Sequence, residues 1–96
     1  MIVGILQVEL AIDGSSSLKD KRRVVQSIKD RLHREHQVSV AEVAALDDRR
    51  TAVLGITMAS GSLPHCQGAL DRVLDKIRRH RGCMLSDHTV EMLTGK

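Results

Sequence analysis

The amino-acid sequence predicts one α+β domain whose elements follow the order β-α-β-β-α-β. Apolar and polar residues alternate along residues 2–12 and 51–59, which is typical of half-buried strands. Apolar residues recur every three or four positions along residues 18–35 and 63–77, which is typical of amphipathic helices. At 96 residues, with 42% hydrophobic and 28% charged residues, the chain has the size and composition of a single globular domain.

The first strand spans residues 2–12, and the first helix runs from its serine cap to about Glu35. One face of the strand is apolar and the other, which includes Glu9, is mixed. Residues 13–16, with the sequence Asp-Gly-Ser-Ser, form a turn. In the helix that follows, Ser17 and Asp20 have the spacing of a capping box. The apolar stripe of this helix consists of Leu18, Val25, Ile28 and Leu32, with Val24 at its edge.

The second half of the chain repeats the pattern of strand and helix. Residues 37–45 and 51–59 predict two strands joined by a hairpin at residues 46–50. Pro64 suits the first turn of the second helix, and Gly82 is expected to end that helix after a run of arginines. A last strand is predicted from Cys83 to Leu93, with the inward residues Met84, Val90 and Met92.

This order of elements predicts a ferredoxin-like fold. Right-handed crossovers place two helices on one face of a four-stranded antiparallel sheet and leave the other face open. The Lys and Arg residues concentrate in residues 18–34 and 71–81, so the helical side is expected to be basic. The open face is expected to present Glu9, Glu42 and Glu91 among Val3, Ile5 and Val53.

The start of the first helix carries the most informative charge pattern. Four Lys or Arg residues occupy its first two turns, where the positive end of the helix dipole disfavours cations. This conflict indicates a site for an anion such as phosphate, although a solvated face that keeps a small protein soluble is the alternative interpretation. Lys21 falls near the apolar stripe and is expected to extend past the sheet edge towards solvent. The candidate phosphate-binding or RNA-binding residues are Ser17, Lys19, Lys21, Arg22, Arg23 and Lys29.

The composition argues against several classes of function. The chain contains no Phe, Tyr or Trp, so base stacking on a sheet or on a single-strand platform is excluded. Binding to the phosphates of structured RNA remains, because it needs only Lys and Arg. No glycine-rich nucleotide loop, nucleophile elbow or metal-ligand spacing is present, and no catalytic residue, cofactor or metal is expected. Cys66 and Cys83 lie about 25 Å apart along the second helix, too far for a disulfide.

Three segments carry a resemblance to a known family. They are residues 17–25 (Ser-Leu-Lys-Asp-Lys-Arg-Arg-Val-Val), residues 38–43 and residues 52–56. The sequence resembles the YlxP-like family, a bacterial domain of unknown function of about this length. The resemblance implies a ferredoxin-like fold and a role near the ribosome, since such genes often lie beside genes for translation initiation and ribosome maturation. It implies no catalytic residue.

Two functions are therefore expected as alternatives. The first is non-catalytic binding of structured, ribosomal RNA through the basic helical face. The second is a homodimeric protein-interaction module that uses the open sheet face, because a half-apolar sheet surface often meets a partner sheet. No stretch approaches the ~20 apolar residues of a membrane span, and a cytoplasmic protein with reduced cysteines is expected.

Overall fold

A computed structural model describes residues 1–95 of the chain. The four strands form one antiparallel sheet in the order β2-β3-β1-β4, and this confirms the predicted ferredoxin-like β-α-β-β-α-β fold. The elements in chain order are β1 (Ile2–Ile12), α1 (Leu18–Glu35), β2 (Ser39–Ala44), β3 (Thr51–Ser60), α2 (Leu63–Arg78) and β4 (Cys83–Thr94).

One aliphatic core lies between the helices and the sheet. Alternate residues of β1 and β3 point towards the helices and are fully buried, because a strand turns successive side chains to opposite faces. Residues of both helices belong to the same core, so both helices cover the same face of the sheet. The core is built around Leu6, Val8, Leu10, Ile28, Leu32, Leu54, Ile56, Leu70, Val73 and Ile77.

Both helices begin at a serine cap, as the sequence predicts for α1. The Ser17 Oγ accepts the Asp20 N–H at 3.1 Å, and the Ser62 Oγ accepts the His65 N–H at 3.3 Å. Helix α2 ends earlier than predicted, at Arg78. Gly82 does not end the helix; it lies in the turn that leads into β4, with φ +90°, a backbone conformation that other residues adopt at a cost.

The inward face of β4 differs from the prediction. A bulge at Ser86 shifts the pairing register with β1, so Leu85 pairs with Leu10 while Asp87 pairs with Glu9. The extra residue reverses the alternation before it, and Cys83 and Leu85 face the core instead of Met84. Met84 lies on the open face and is 63% exposed, so its predicted burial is wrong.

Glu42 also lies on the side opposite to the one predicted. It pairs with the buried Leu54 of β3 and shares the face of the buried Val40, so its side chain points towards the helices. A second bulge, at Val43, directly follows Glu42 and sends the Val43 side chain over Gly55 on the open face. The expectation that Glu42 belongs to the open face is therefore wrong.

The structure also bears on the two cysteines and on whether a helix could span a membrane. Both cysteines, Cys66 and Cys83, are free and buried. Neither of the two helices found within residues 1–95 is long and apolar enough to cross a bilayer.

Candidate phosphate-binding site

The first turn of α1 already holds an anion of its own. The Asp20 carboxylate accepts hydrogen bonds from the Ser16 N–H at 3.1 Å and the Ser16 hydroxyl at 3.0 Å. These bonds, the backbone one first, hold the pKa of Asp20 below its usual value. A charged carboxylate at this end of the helix interacts favourably with the helix dipole. The Ser17 hydroxyl is already used as the helix cap. An external phosphate would therefore bind to the exposed cationic side chains of α1.

Lys21 does not reach solvent. Its side chain is only 1% exposed, and its Nζ lies 2.8 Å from the Glu42 Oε2. The same ammonium donates hydrogen bonds to the carbonyl oxygens of Ala45 at 2.9 Å, Thr51 at 3.2 Å and Leu46 at 3.3 Å. An ammonium group has three N–H donors, so the three carbonyls use them all and Glu42 contributes its charge. Lys21 therefore leaves the candidate set, because every one of its interactions is internal.

The buried ammonium fixes the β2–β3 hairpin against α1. Its three carbonyl partners lie at the two ends of the connection between β2 and β3: Ala45 and Leu46 directly follow β2, and Thr51 begins β3. They are 24 to 30 positions further along the chain than Lys21. Ala45 has φ 56°, in the left-handed region that costs a residue with a Cβ roughly 1–2 kcal/mol. The hydrogen bond from Lys21 to its carbonyl helps to offset that cost. The charge at position 21 is thus a structural feature of the fold.

The other four cations on α1 remain accessible, and we call them the α1 basic patch: Lys19, Arg22, Arg23 and Lys29. Lys19, Arg22 and Arg23 are exposed, and Lys29 is partly exposed. Residues four apart lie on the same helix face, which places Lys19 beside Arg23. Arg22 and Lys29 are two turns apart on the flank that faces away from α2. None of the four forms an ion pair with a carboxylate within residues 1–95.

Three other cations on or next to the helices, unlike those of this patch, lie close to carboxylates. Lys76 of α2 pairs with Glu35 at the end of α1, and Arg31 lies 3.8 Å from the same carboxylate. Arg79 pairs with Asp75 one turn earlier in α2, at 3.2 Å. The pair formed by Glu35 and Lys76 identifies the flank of α1 that packs beside α2. The α1 basic patch lies away from that flank.

The sequence interpretation missed two arginines near the start of α1. Arg49 and Arg50, in the β2–β3 hairpin, are exposed, and with residues 16–18 and 47–48 they line an open cleft of about 580 Å³. The predicted topology would have indicated this proximity, because it places the β2–β3 hairpin and the start of α1 at the same end of the sheet. Asp47 and Asp48 line the same cleft and balance the charge of the arginines there. The hairpin therefore adds reach to the site without adding net charge.

Two solved structures share this architecture. The de novo designed protein Foldit4 is 12% identical, covers 98% of this chain and 99% of its own length, and has a TM-score of 0.53. The de novo designed protein LFR1 1, described as having a ferredoxin fold, is 15% identical, covers 100% of this chain and 87% of its own, and has a TM-score of 0.51. At these identities the likeness concerns the fold alone.

Sequence relatives point to one family. The uncharacterized protein YlxP of Bacillus subtilis (strain 168) is 32% identical over 73 residues, which cover 76% of this chain and 79% of that protein. Residues 3–90 match the family described as a protein of unknown function, DUF503. The match spans most of the domain, including α1 and its basic patch. The chain belongs to the DUF503 family, in agreement with the resemblance to YlxP-like proteins.

Proposed function

We propose that this protein binds the phosphate groups of structured RNA, such as ribosomal RNA, through the α1 basic patch, without catalysing a reaction. The observation that carries the proposal is the concentration of four accessible cations, none in an ion pair within residues 1–95, in three turns of α1. Lys21, Arg31, Lys76 and Arg79 each meet a carboxylate. Lys19, Arg22 and Arg23 extend into solvent and meet none within residues 1–95, so they are available to an external polyanion.

The composition favours structured RNA over flexible single strands. Single-strand binding draws much of its affinity from stacking bases on aromatic side chains, and the sequence has no Phe, Tyr or Trp. Lys and Arg contacts to the backbone of a folded RNA need no aromatic residue. A convex helix surface fits such a backbone by shape and charge, and it reads little sequence.

Replacement of Arg22 and Arg23 by alanine tests the proposal. We expect R22A/R23A to bind an RNA hairpin with a stem of about 16 base pairs roughly 30-fold more weakly than the unchanged protein. This corresponds to two phosphate contacts of about 1 kcal/mol each. Fluorescence anisotropy with a labelled hairpin at low salt measures the affinity. Since both side chains are exposed, unfolding by urea should be nearly unchanged.

The matched control is R34A/R72A, which also removes two exposed arginines. Arg34 lies near the end of α1, and Arg72 lies on α2. If affinity depends on the patch, the control should bind within about threefold of the unchanged protein, because nonspecific attraction alone changes with net charge. Equal losses in the two double variants would show that net charge, and not the α1 basic patch, attracts the RNA.

Association of two copies through the open sheet face is the second candidate. The face carries accessible apolar side chains, among them Val43 at 51% and Leu93 at 45% exposure. Two sheets of this kind can pack face to face at a distance of about 10 Å. In a two-fold arrangement, however, each copy would bring its own Glu9 and Glu91 carboxylates into the interface, which weakens the case for this partner.

A further inference from the structure

The outward-facing residues of the strands that the structure describes include three acids, Glu9, Asp87 and Glu91. The pairing register places Glu9 opposite Asp87, and Glu91 opposite Ile5, so the three carboxylates belong to the adjacent strands β1 and β4. None of the outward-facing residues of the four strands is Lys or Arg, although the chain has fifteen such residues. The open face is thus negative, while α1 carries the basic patch on the opposite side of the domain.

Apolar side chains surround the acids on the same face. Val3 and Ile5 of β1 are partly exposed, and Val3 pairs with Leu93, which is 45% exposed. Val43 is 51% exposed and Met84 63% exposed on the same face. Accessible apolar area next to a row of charges is typical of a surface that meets a partner carrying both kinds of side chain.

The face also has a concave region where an acid is accessible. A depression of about 180 Å³ is lined by Gln7, Glu9, Ala44, Val53, Asp87, His88 and Thr89. It therefore lies between two carboxylates and has an apolar floor at Val53, which is 8% exposed. A long aliphatic side chain that ends in a positive charge fits this combination, because its stem contacts apolar surface while its charge meets an acid.

We infer that the open sheet face docks a cationic, amphipathic segment of a partner protein. Its basic side chains pair with Glu9, Asp87 and Glu91, and its apolar side chains cover Val3 and Leu93. A second copy of the chain is a poorer occupant, because its open face would bring three more carboxylates to the same surface. RNA is excluded as an occupant by the same negative charge. The domain thus has two sides of opposite charge that select different classes of partner.

A peptide titration tests this inference. The probe is a synthetic 15-residue peptide with leucine on one helical face and lysine at the remaining positions, and its comparator carries glutamate instead of lysine. Titration of ¹⁵N-labelled protein should move the amide signals of β1 and β4 with the lysine peptide and leave the signals of these two strands unchanged with the glutamate peptide. Movement confined to α1 and α2, or no movement, would overturn the inference.

Matched charge variants make the test specific to this face. E9Q/E91Q should bind the lysine peptide about five- to tenfold more weakly, since each exposed ion pair contributes up to about 1 kcal/mol. D47N/D71N, which removes two exposed carboxylates from the hairpin and α2, should bind within about twofold of the unchanged protein. Leu93→Ser should weaken binding about fivefold through the lost apolar contact.

Three results would contradict the inference in different ways. Equal weakening in E9Q/E91Q and D47N/D71N would show a response to net charge alone. Binding that survives Leu93→Ser and E9Q/E91Q unchanged would place the peptide elsewhere. Dimerisation of the unchanged protein at micromolar concentration, abolished by Leu93→Ser in sedimentation equilibrium, would make a second copy the occupant.

Discussion

Replacing Lys21 with methionine is expected to lower the free energy of unfolding by about 3–5 kcal/mol. Methionine fills a similar volume, but it leaves the Glu42 carboxylate without its counter-charge and the carbonyls of Ala45, Leu46 and Thr51 without their donor. A buried polar group that loses its hydrogen-bond partner destabilises the folded state by its full desolvation free energy. Small domains have about 5–15 kcal/mol of stability in total, so this loss is severe.

Urea unfolding followed by circular dichroism measures this effect. The matched control is Lys19→Met, which changes the same residue type two positions earlier in α1. Because Lys19 is exposed and makes no ion pair within residues 1–95, its replacement should change the free energy of unfolding by no more than about 0.5 kcal/mol. Equal and small changes in the two variants would mean that the Lys21 ammonium is solvated and that the network does not stabilise the fold.

Replacing Glu42 with leucine should cost less, about 1–3 kcal/mol. The Lys21 ammonium then keeps its three carbonyl acceptors but loses its counter-charge at 2.8 Å. Glu42 is also 18% exposed, so water reaches part of this site and moderates the loss. The same urea experiment measures this variant, and a loss as large as that of Lys21→Met would mean that the ion pair outweighs the carbonyl contacts.

The double variant K21M/E42L separates the ion pair from the hairpin contacts. With both charges gone no uncompensated charge is buried, so we expect the double variant to be more stable than the sum of the single losses predicts, by about 1–3 kcal/mol. The stability that remains lost belongs to the three unpaired carbonyls of the hairpin. Strict additivity of the two single losses would show that Lys21 and Glu42 do not interact.

The structural role of Lys21 was readable in part from the sequence. Lys21 precedes Val25, Ile28 and Leu32 by four, seven and eleven residues, which is the spacing of one buried helix face. Glu42 follows Val40 by two positions, which is the spacing of one strand face. An inward cation on the helix and an inward acid on the strand below it predict a buried pair. The positive charge at the start of α1, which the helix dipole disfavours, thus has two explanations. Lys21 is held by its buried ion pair and hydrogen bonds, whereas its exposed neighbours are available to an external anion.

Other features depended on details that sequence periodicity does not carry. The order of elements and the start of each helix followed from apolar spacing and serine caps, and the structure confirms them. The bulges at Val43 and Ser86 each insert one residue into a strand, and alternation alone cannot locate such an insertion. This is why Met84 was assigned to the core although it lies on the open face.

The structure divides the surface charge between two sides of a small domain. The α1 basic patch lies on the helical side, and Glu9, Asp87 and Glu91 lie on the open side of the sheet. Packing in the core does not explain the position of either group of charges, because all these side chains are exposed except Lys29, which is partly exposed. A separation of this kind affects how the molecule orients towards charged partners before contact.

The salt dependence of RNA binding tests the proposed role of the patch most directly. Each phosphate contact contributes about −0.7 to −0.9 to the slope of log affinity against log salt concentration, so four contacts predict a slope of about −3. Co-sedimentation with ribosomal subunits across a salt series should give this slope for the unchanged protein and R34A/R72A, and a slope shallower by about 1.5 for R22A/R23A. The same slope in all three proteins, or a slope near zero, would contradict phosphate binding by the α1 basic patch.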